Sequence, residues 1–142
     1  MEIKEIYTIE PATGVKIPIY SMSVSAGIPV VVESRVEDMI DINEYLIEHP
    51  ATSFFARVQG ESFSQIGIMD NDIIVFDTSL NPKDGMVIIA LGNDGMTIKI
   101  YRNLDGTIYL QSSNHQFLPL EIPPYLEFKI LGVVTKVIHS FD

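Results

Sequence analysis

Val87-Ile88-Ile89-Ala90-Leu91-Gly92-Asn93-Asp94-Gly95-Met96-Thr97-Ile98-Lys99-Ile100-Tyr101-Arg102 is the stretch that decides the fold. Two β-prone runs, Met86 to Leu91 and Met96 to Arg102, flank Gly92-Asn93-Asp94-Gly95, a composition that turns one strand back on the next. The same punctuation continues outward. Downstream, Asn103-Leu104-Asp105-Gly106 is a second turn, and Thr107 to Gln111 a further strand. Leu126 to Ile138 is a long apolar strand in which Gly132 marks a bulge or bend. Upstream, Asn81-Pro82-Lys83-Asp84-Gly85 is a turn, and Ile73-Ile74-Val75-Phe76 is the continuous apolar run of a buried strand over 72–77. Ser53 to Gln59 is a strand rich in Phe and Val, and Ser62 to Gly67 reads as a short helical turn. Many short strands separated by turns predict a mostly β domain with a curled, largely antiparallel sheet.

One helix is expected. Ile42, Tyr45 and Leu46 recur at helical spacing, Asp41 is an N-cap with Glu44 three residues on, and Pro50 stops the run. Ile28 to Glu33 is β-prone. Residues 1–27 carry Pro11, Gly14, Pro18 and Gly27 and read as a flexible N-terminal arm with short β-like pieces, ahead of a β domain over 28–142. That arm has no room for the amphipathic helices of a helix-turn-helix.

At 142 residues the chain is one domain. Its net charge of −10, with no Lys/Arg cluster, argues against sequence-independent binding to duplex DNA and fits protein partners better. Cysteine is absent, which excludes a disulfide framework and a thiolate nucleophile. The acidic start, Met1-Glu2-Ile3-Lys4-Glu5, is no signal peptide, and the apolar runs are too short to span a bilayer, so a cytoplasmic protein is expected.

Two residues carry candidate chemistry. Ser62, in Gly60-Glu61-Ser62-Phe63, stands at a strand-to-helix corner, where a hydroxyl is exposed and backbone N–H groups can receive an oxyanion. Gly-x-Ser is common, and most such serines only cap or turn the chain. Lys99, in Thr97-Ile98-Lys99-Ile100, alternates with Ile98 and Ile100. If the Ile face is core, Lys99 is either plain surface or the lining of a groove. As a base it must be neutral, a form populated at about 0.1% for a free lysine at neutral pH. Restoring that form takes roughly 3 pH units, or about 4 kcal/mol of burial and charge effects. Val24-Ser25-Ala26-Gly27-Ile28-Pro29 is a small-residue stretch that suits either a linker or a peptide substrate on the same chain.

Taken in order, Ser25-Ala26-Gly27-Ile28-Pro29, Asp41 to Thr52, Gly60-Glu61-Ser62-Phe63, Gly67-Ile68-Met69-Asp70-Asn71-Asp72, Thr97-Ile98-Lys99 and Leu131-Gly132-Val133-Val134 resemble the LexA/UmuD family of self-cleaving S24 serine peptidases. The likeness is strongest to its UmuD branch, the accessory subunits of an error-prone DNA polymerase. It covers roughly four-fifths of the chain, from about Ala26 onward. The resemblance implies a LexA/signal-peptidase-like fold, Ser62 as nucleophile with its own N–H as oxyanion donor, Lys99 as general base, and the Ala26–Gly27 bond as the one cut. It also implies a homodimer, cleavage on contact with a RecA filament, and a UmuC-type Y-family polymerase as partner in translesion synthesis. Where the family more often has Gly-Asp-Ser-Met, this chain has Glu61 and Phe63. The arm is shorter than the DNA-binding domain of LexA, which turns the expectation from repressor toward accessory protein.

No cofactor is expected. Asp70-Asn71-Asp72 reads as an Asx turn rather than a cation site. His49, His115 and His139 show no ligand spacing, and no acid–His–Ser pattern stands out. Two other readings stay open: a non-catalytic regulatory interaction module with the same fold, and a signal-peptidase-like enzyme acting on other chains.

Overall fold

The computed structural model describes residues 1–9, 16–21, 35–92, 95–112, 120–121 and 129–141. In chain order the elements are β1 (Glu2–Thr8), β2 (Lys16–Ser21), β3 (Arg35–Asp41), helix α1 (Ile42–Leu46), β4 (Ser53–Gln59), a 3-10 turn (Ser64–Ile66), β5 (Ile73–Asp77), β6 (Val87–Gly92), β7 (Gly95–Leu104), β8 (Thr107–Gln111), β9 (Leu120–Glu121) and β10 (Lys129–Ile138). They fall into two units, residues 10–48 and the rest.

The larger unit is one eight-stranded sheet in the order β1-β4-β5-β10-β6-β7-β8-β9, with every pairing antiparallel. Glu2 of β1 also pairs with Thr97 of β7, so the sheet curls until its first strand meets its sixth. The mostly β, antiparallel architecture read from the sequence is the one observed. β6 and β7 are the expected hairpin, with Gly92 opposite Gly95.

Alternation along the strands sorts the apolar residues into two cores. Ala56, Val58, Phe63, Ile68, Ile74, Phe76, Ile89 and Ile98 form the first, and Ile88, Ala90, Tyr101, Leu110 and Val133 the second. Adjacent residues Ile88 and Ile89 thus serve different cores, which explains the unbroken apolar run of β6. β10 lies between β5 and β6, and its register shifts beside Gly132, the bulge that the sequence announces. A Cβ at Gly132 would stand 2.8 Å from Phe76 Cδ2 and 3.0 Å from the Asp77 carbonyl oxygen, so the strand passes there only without a side chain.

β1 is where the structure differs from the sequence reading. Residues 2–8, read as the start of an arm, are a strand of the sheet. Ile3 and Ile6 are an odd number of positions apart, which breaks strand alternation. A register shift between Ile3 and Glu5 sets Ile3 opposite the buried Val58 and Ile6 opposite the buried Ala56; Ile3 packs on the first core, while Ile6 stays exposed. The two-residue strand β9 also carries no sequence signal of its own.

In the smaller unit β2 and β3 pair antiparallel, from Lys16 opposite Asp41 to Ser21 opposite Arg35. Pro18 is tolerated because a two-stranded sheet has only edges. Asp41 Oδ1 accepts from the Asn43 N–H at 2.9 Å, the expected N-cap, and the helix ends at Leu46 as Ile47 turns extended. No helix among the described residues is long and apolar enough to cross a membrane. The run 28–33 lies outside the described residues.

Candidate active site

The loop leaving β4 is folded back on itself. Gly60 takes φ +110°, which side-chain-bearing residues avoid, and its N–H donates to Asp70 Oδ1 at 2.9 Å. Phe63 and Ile68 exchange backbone hydrogen bonds of 2.8 and 3.2 Å, and both side chains are buried in the first core. Phe63, the bulkier residue beside the candidate nucleophile, is therefore accommodated by the core. The Asp70 N–H donates to Ser62 Oγ at 3.3 Å, and Ser62 itself is half-buried.

The 69–72 segment is the Asx-type turn expected from its composition. Asp72 Oδ2 accepts from the Met69 N–H at 2.8 Å. Its Oδ1 meets His139 Nδ1 at 2.5 Å, so this buried carboxylate ties the turn to the end of β10. Arg57, Asp70, Asp72, His139 and Phe141 line an open polar cavity of about 550 Å³ along this turn. Among the described residues, no group of three or more His, Cys, Asp or Glu is arranged to hold a metal ion.

Lys99 stands on β7 opposite Ile88, a member of the second core. The Ile98 face is core, as one reading of the alternation requires. The Lys99 face packs as well: Tyr101, two residues on, is also in the second core. Lys99 is thus half-buried rather than plain surface, and its Nζ donates to Ser112 Oγ at 2.7 Å. Ser112 was not singled out from the sequence. Counting outward from the Asp105-Gly106 turn, which pairs Leu104 with Thr107 and Ile100 with Gln111, puts it opposite Lys99.

Met1 links the two candidate regions. Its Cα lies 3.6 Å from where a Gly60 Cβ would stand, and its carbonyl accepts from the Ile98 N–H at 3.1 Å. Phe63, next to Ser62, and Ile98, next to Lys99, share the first core. Ser62 and Lys99 are each described with their own hydrogen-bond partner, Asp70 and Ser112. Ala26 and Gly27 fall in the connection between β2 and β3 and lie outside the described residues, as does His115.

A second polar cluster surrounds Asp77. Burial raises its carboxyl, but the N–H and hydroxyl of Ser79, the Thr52 hydroxyl and His49 outweigh that and hold it at about 2. Thr52 Oγ1 donates at 2.7 Å and His49 Nδ1 lies at 2.6 Å. His49 and His139, read from the sequence as scattered, are each paired with a buried aspartate.

The larger unit is thus a curled antiparallel sheet with Ser62 on the loop after β4 and a half-buried Lys99 on β7. The chain matches the Peptidase S24-like family over residues 18–135, and it belongs to that family. It is similar to the LexA repressor of Psychromonas ingrahamii, 35% identical over 120 residues, 84% of this chain and 57% of that protein. The LexA repressor of Colwellia psychrerythraea is 30% identical over 118 residues, 82% of this chain and 56% of that protein. That of Shewanella baltica is 27% identical over 135 residues, 94% of this chain and 65% of that protein. The chain therefore spans between about half and two-thirds of the length of these relatives.

Proposed function

We propose that this chain is a self-cleaving serine peptidase of the SOS DNA-damage response, with Ser62 as nucleophile and Lys99 as general base. The observation that carries the reading is the join at Met1, which touches both the Gly60 loop and the Ile98 position of β7. The family match supports it, since residues 18–135 include Ser62, Lys99, Ala26 and Gly27.

Ser62 Oγ attacks the Ala26 carbonyl as its proton passes to the neutral Lys99 amine. The ammonium then protonates the leaving nitrogen of Gly27, and water releases the acyl group, giving residues 1–26 and 27–142. The resemblance to the family implies the Ser62 N–H as the oxyanion donor. Carrying substrate and nucleophile on one chain replaces binding energy with a high effective concentration.

In this reading a RecA filament triggers the cut. The trimmed homodimer then serves a UmuC-type Y-family polymerase in translesion synthesis, as in the UmuD branch. That the relatives are repressors favours a second reading, a regulatory interaction module with the same fold whose dyad is idle.

Intact-mass analysis at neutral and strongly alkaline pH tests the proposal, beside Ser62→Ala and Lys99→Ala. Expected are two fragments split between Ala26 and Gly27, forming faster at high pH and absent in both variants. An intact parent, in alkali and with RecA filaments, would move the regulatory reading ahead. Retention of a Y-family polymerase by residues 27–142, but not by the Ser62→Ala chain, checks the accessory-subunit role.

A further inference from the structure

The ε-amine of Lys99 is held by a serine that the dyad does not use. Lys99 Nζ donates to Ser112 Oγ at 2.7 Å, and both residues are half-buried. Ser112 follows directly on β8, whose last residue, Gln111, pairs with Ile100, so its backbone is fixed one step beyond the ladder. The opposite neighbour of Lys99 on β6 is the buried Ile88, and among the described residues Tyr101 is an ionisable neighbour on its own face. A lysine side chain has rotamer entropy to lose before its nitrogen is fixed. A hydroxyl is suited to fix it, because it accepts from the ammonium and can donate to or accept from the neutral amine.

We propose that Ser112 is the positioning residue for Lys99: its hydroxyl anchors the ε-amine across the β7–β8 seam and so places the nitrogen for the proton transfer proposed above. The inference rests on the Ser62/Lys99 reading above. Ser112 forms no covalent bond in the cycle. The proton still passes from Ser62 Oγ to Lys99 Nζ and on to the Gly27 nitrogen.

The bond has a sign. An oxygen that accepts from an ammonium favours the charged form, so deleting it eases deprotonation while releasing the amine from its place. Self-cleavage of the full chain is followed against pH for the parent, Ser112→Ala and Ser112→Thr. In Ser112→Ala the plateau rate falls by about ten- to a hundredfold, and the pH midpoint moves down by about half a unit or more. Ser112→Thr, which keeps the hydroxyl, restores both. A lower plateau with an unmoved midpoint, or an alanine variant indistinguishable from the parent, overturns the role of Ser112.

A second measurement does not need cleavage. In the Ser62→Ala background, NMR titration of the Lys99 ε-carbon gives a lower midpoint with Ser112→Ala than without it. Equal midpoints overturn the proposal. Failure of the dyad reading looks different: Lys99→Ala then cleaves like the parent, or the parent stays intact, while the Lys99 titration still responds to Ser112.

Discussion

The Ile98 N–H donates to the Met1 carbonyl at 3.1 Å, one residue before Lys99, and this bond brings the first strand of the sheet against β7. Ile3 packs on the first core from the same strand. Ile3→Asp sets a carboxylate against that core and is expected to cost about 2–4 kcal/mol, read as a lower urea midpoint. Lys4→Ala, on the exposed bulge residue beside it, should stay within about 0.5 kcal/mol of the parent. Equal losses from the two changes would mean that β1 does not close the core.

Gly132 lies where β10 runs alongside β5, with Phe76 Cδ2 and the Asp77 carbonyl oxygen against the place a Cβ would take. Gly132→Ala is expected to destabilise the sheet by about 1–3 kcal/mol through overpacking. Thermal melting checks it. The loss should shrink in a Phe76→Ala background, which removes one of the two clashes. An unchanged melting temperature would show that β10 can shift away.

The Asp77 carboxyl titrates at about 2 because four hydrogen bonds to its charged form outweigh its burial. A group depressed on folding stabilises the native state above its unfolded value of 3.8. That contribution is lost as pH falls through 2. It amounts to roughly 2 kcal/mol at neutral pH. Asp77→Asn should lower stability near pH 7 by about that much and flatten the dependence between pH 5 and pH 2, measured by urea unfolding across that range. Parallel parent and variant curves would show that the Ser79, Thr52 and His49 contacts do not favour the carboxylate.

Much of the fold was legible because the deciding signals are local. The reversal that sets Gly92 opposite Gly95, the turn at 103–106, the apolar run of β5 and the Asp41 cap act within a few residues, and each stands where the sequence put it. β1 was hidden by its bulge, since Ile3 and Ile6 share a face only after the register shift. β9 is two residues long, and its pairing with Tyr109 and Leu110 is set by its partner strand. At the candidate site, Ser62 and Lys99 were reached from motif and spacing. The groups that hold them were not, because the Asp70 N–H and the Ser112 hydroxyl become neighbours only through chain reversals. Ser112 was within reach of a register count. The Met1 contact, made across the full curl of the sheet, was not.

Asp70 fixes the Ser62 loop twice: its carboxylate accepts from the Gly60 N–H at 2.9 Å, and its own N–H donates to Ser62 Oγ at 3.3 Å. Asp70→Ala removes the first bond and leaves the second to a loosened turn. The Phe63–Ile68 exchange still anchors the segment to the core, so the stability loss is expected to be about 1 kcal/mol. The proposed self-cleavage is more sensitive to position, and should slow by about tenfold or more in alkali. Asp70→Asn keeps an oxygen acceptor for Gly60 and should recover most of the rate. Cleavage half-times read beside urea midpoints separate placement from stability. If Asp70→Ala slows cleavage only in proportion to its loss of stability, the Phe63–Ile68 bridge alone sets Ser62; a rate loss at near-parental stability assigns that placement to Asp70.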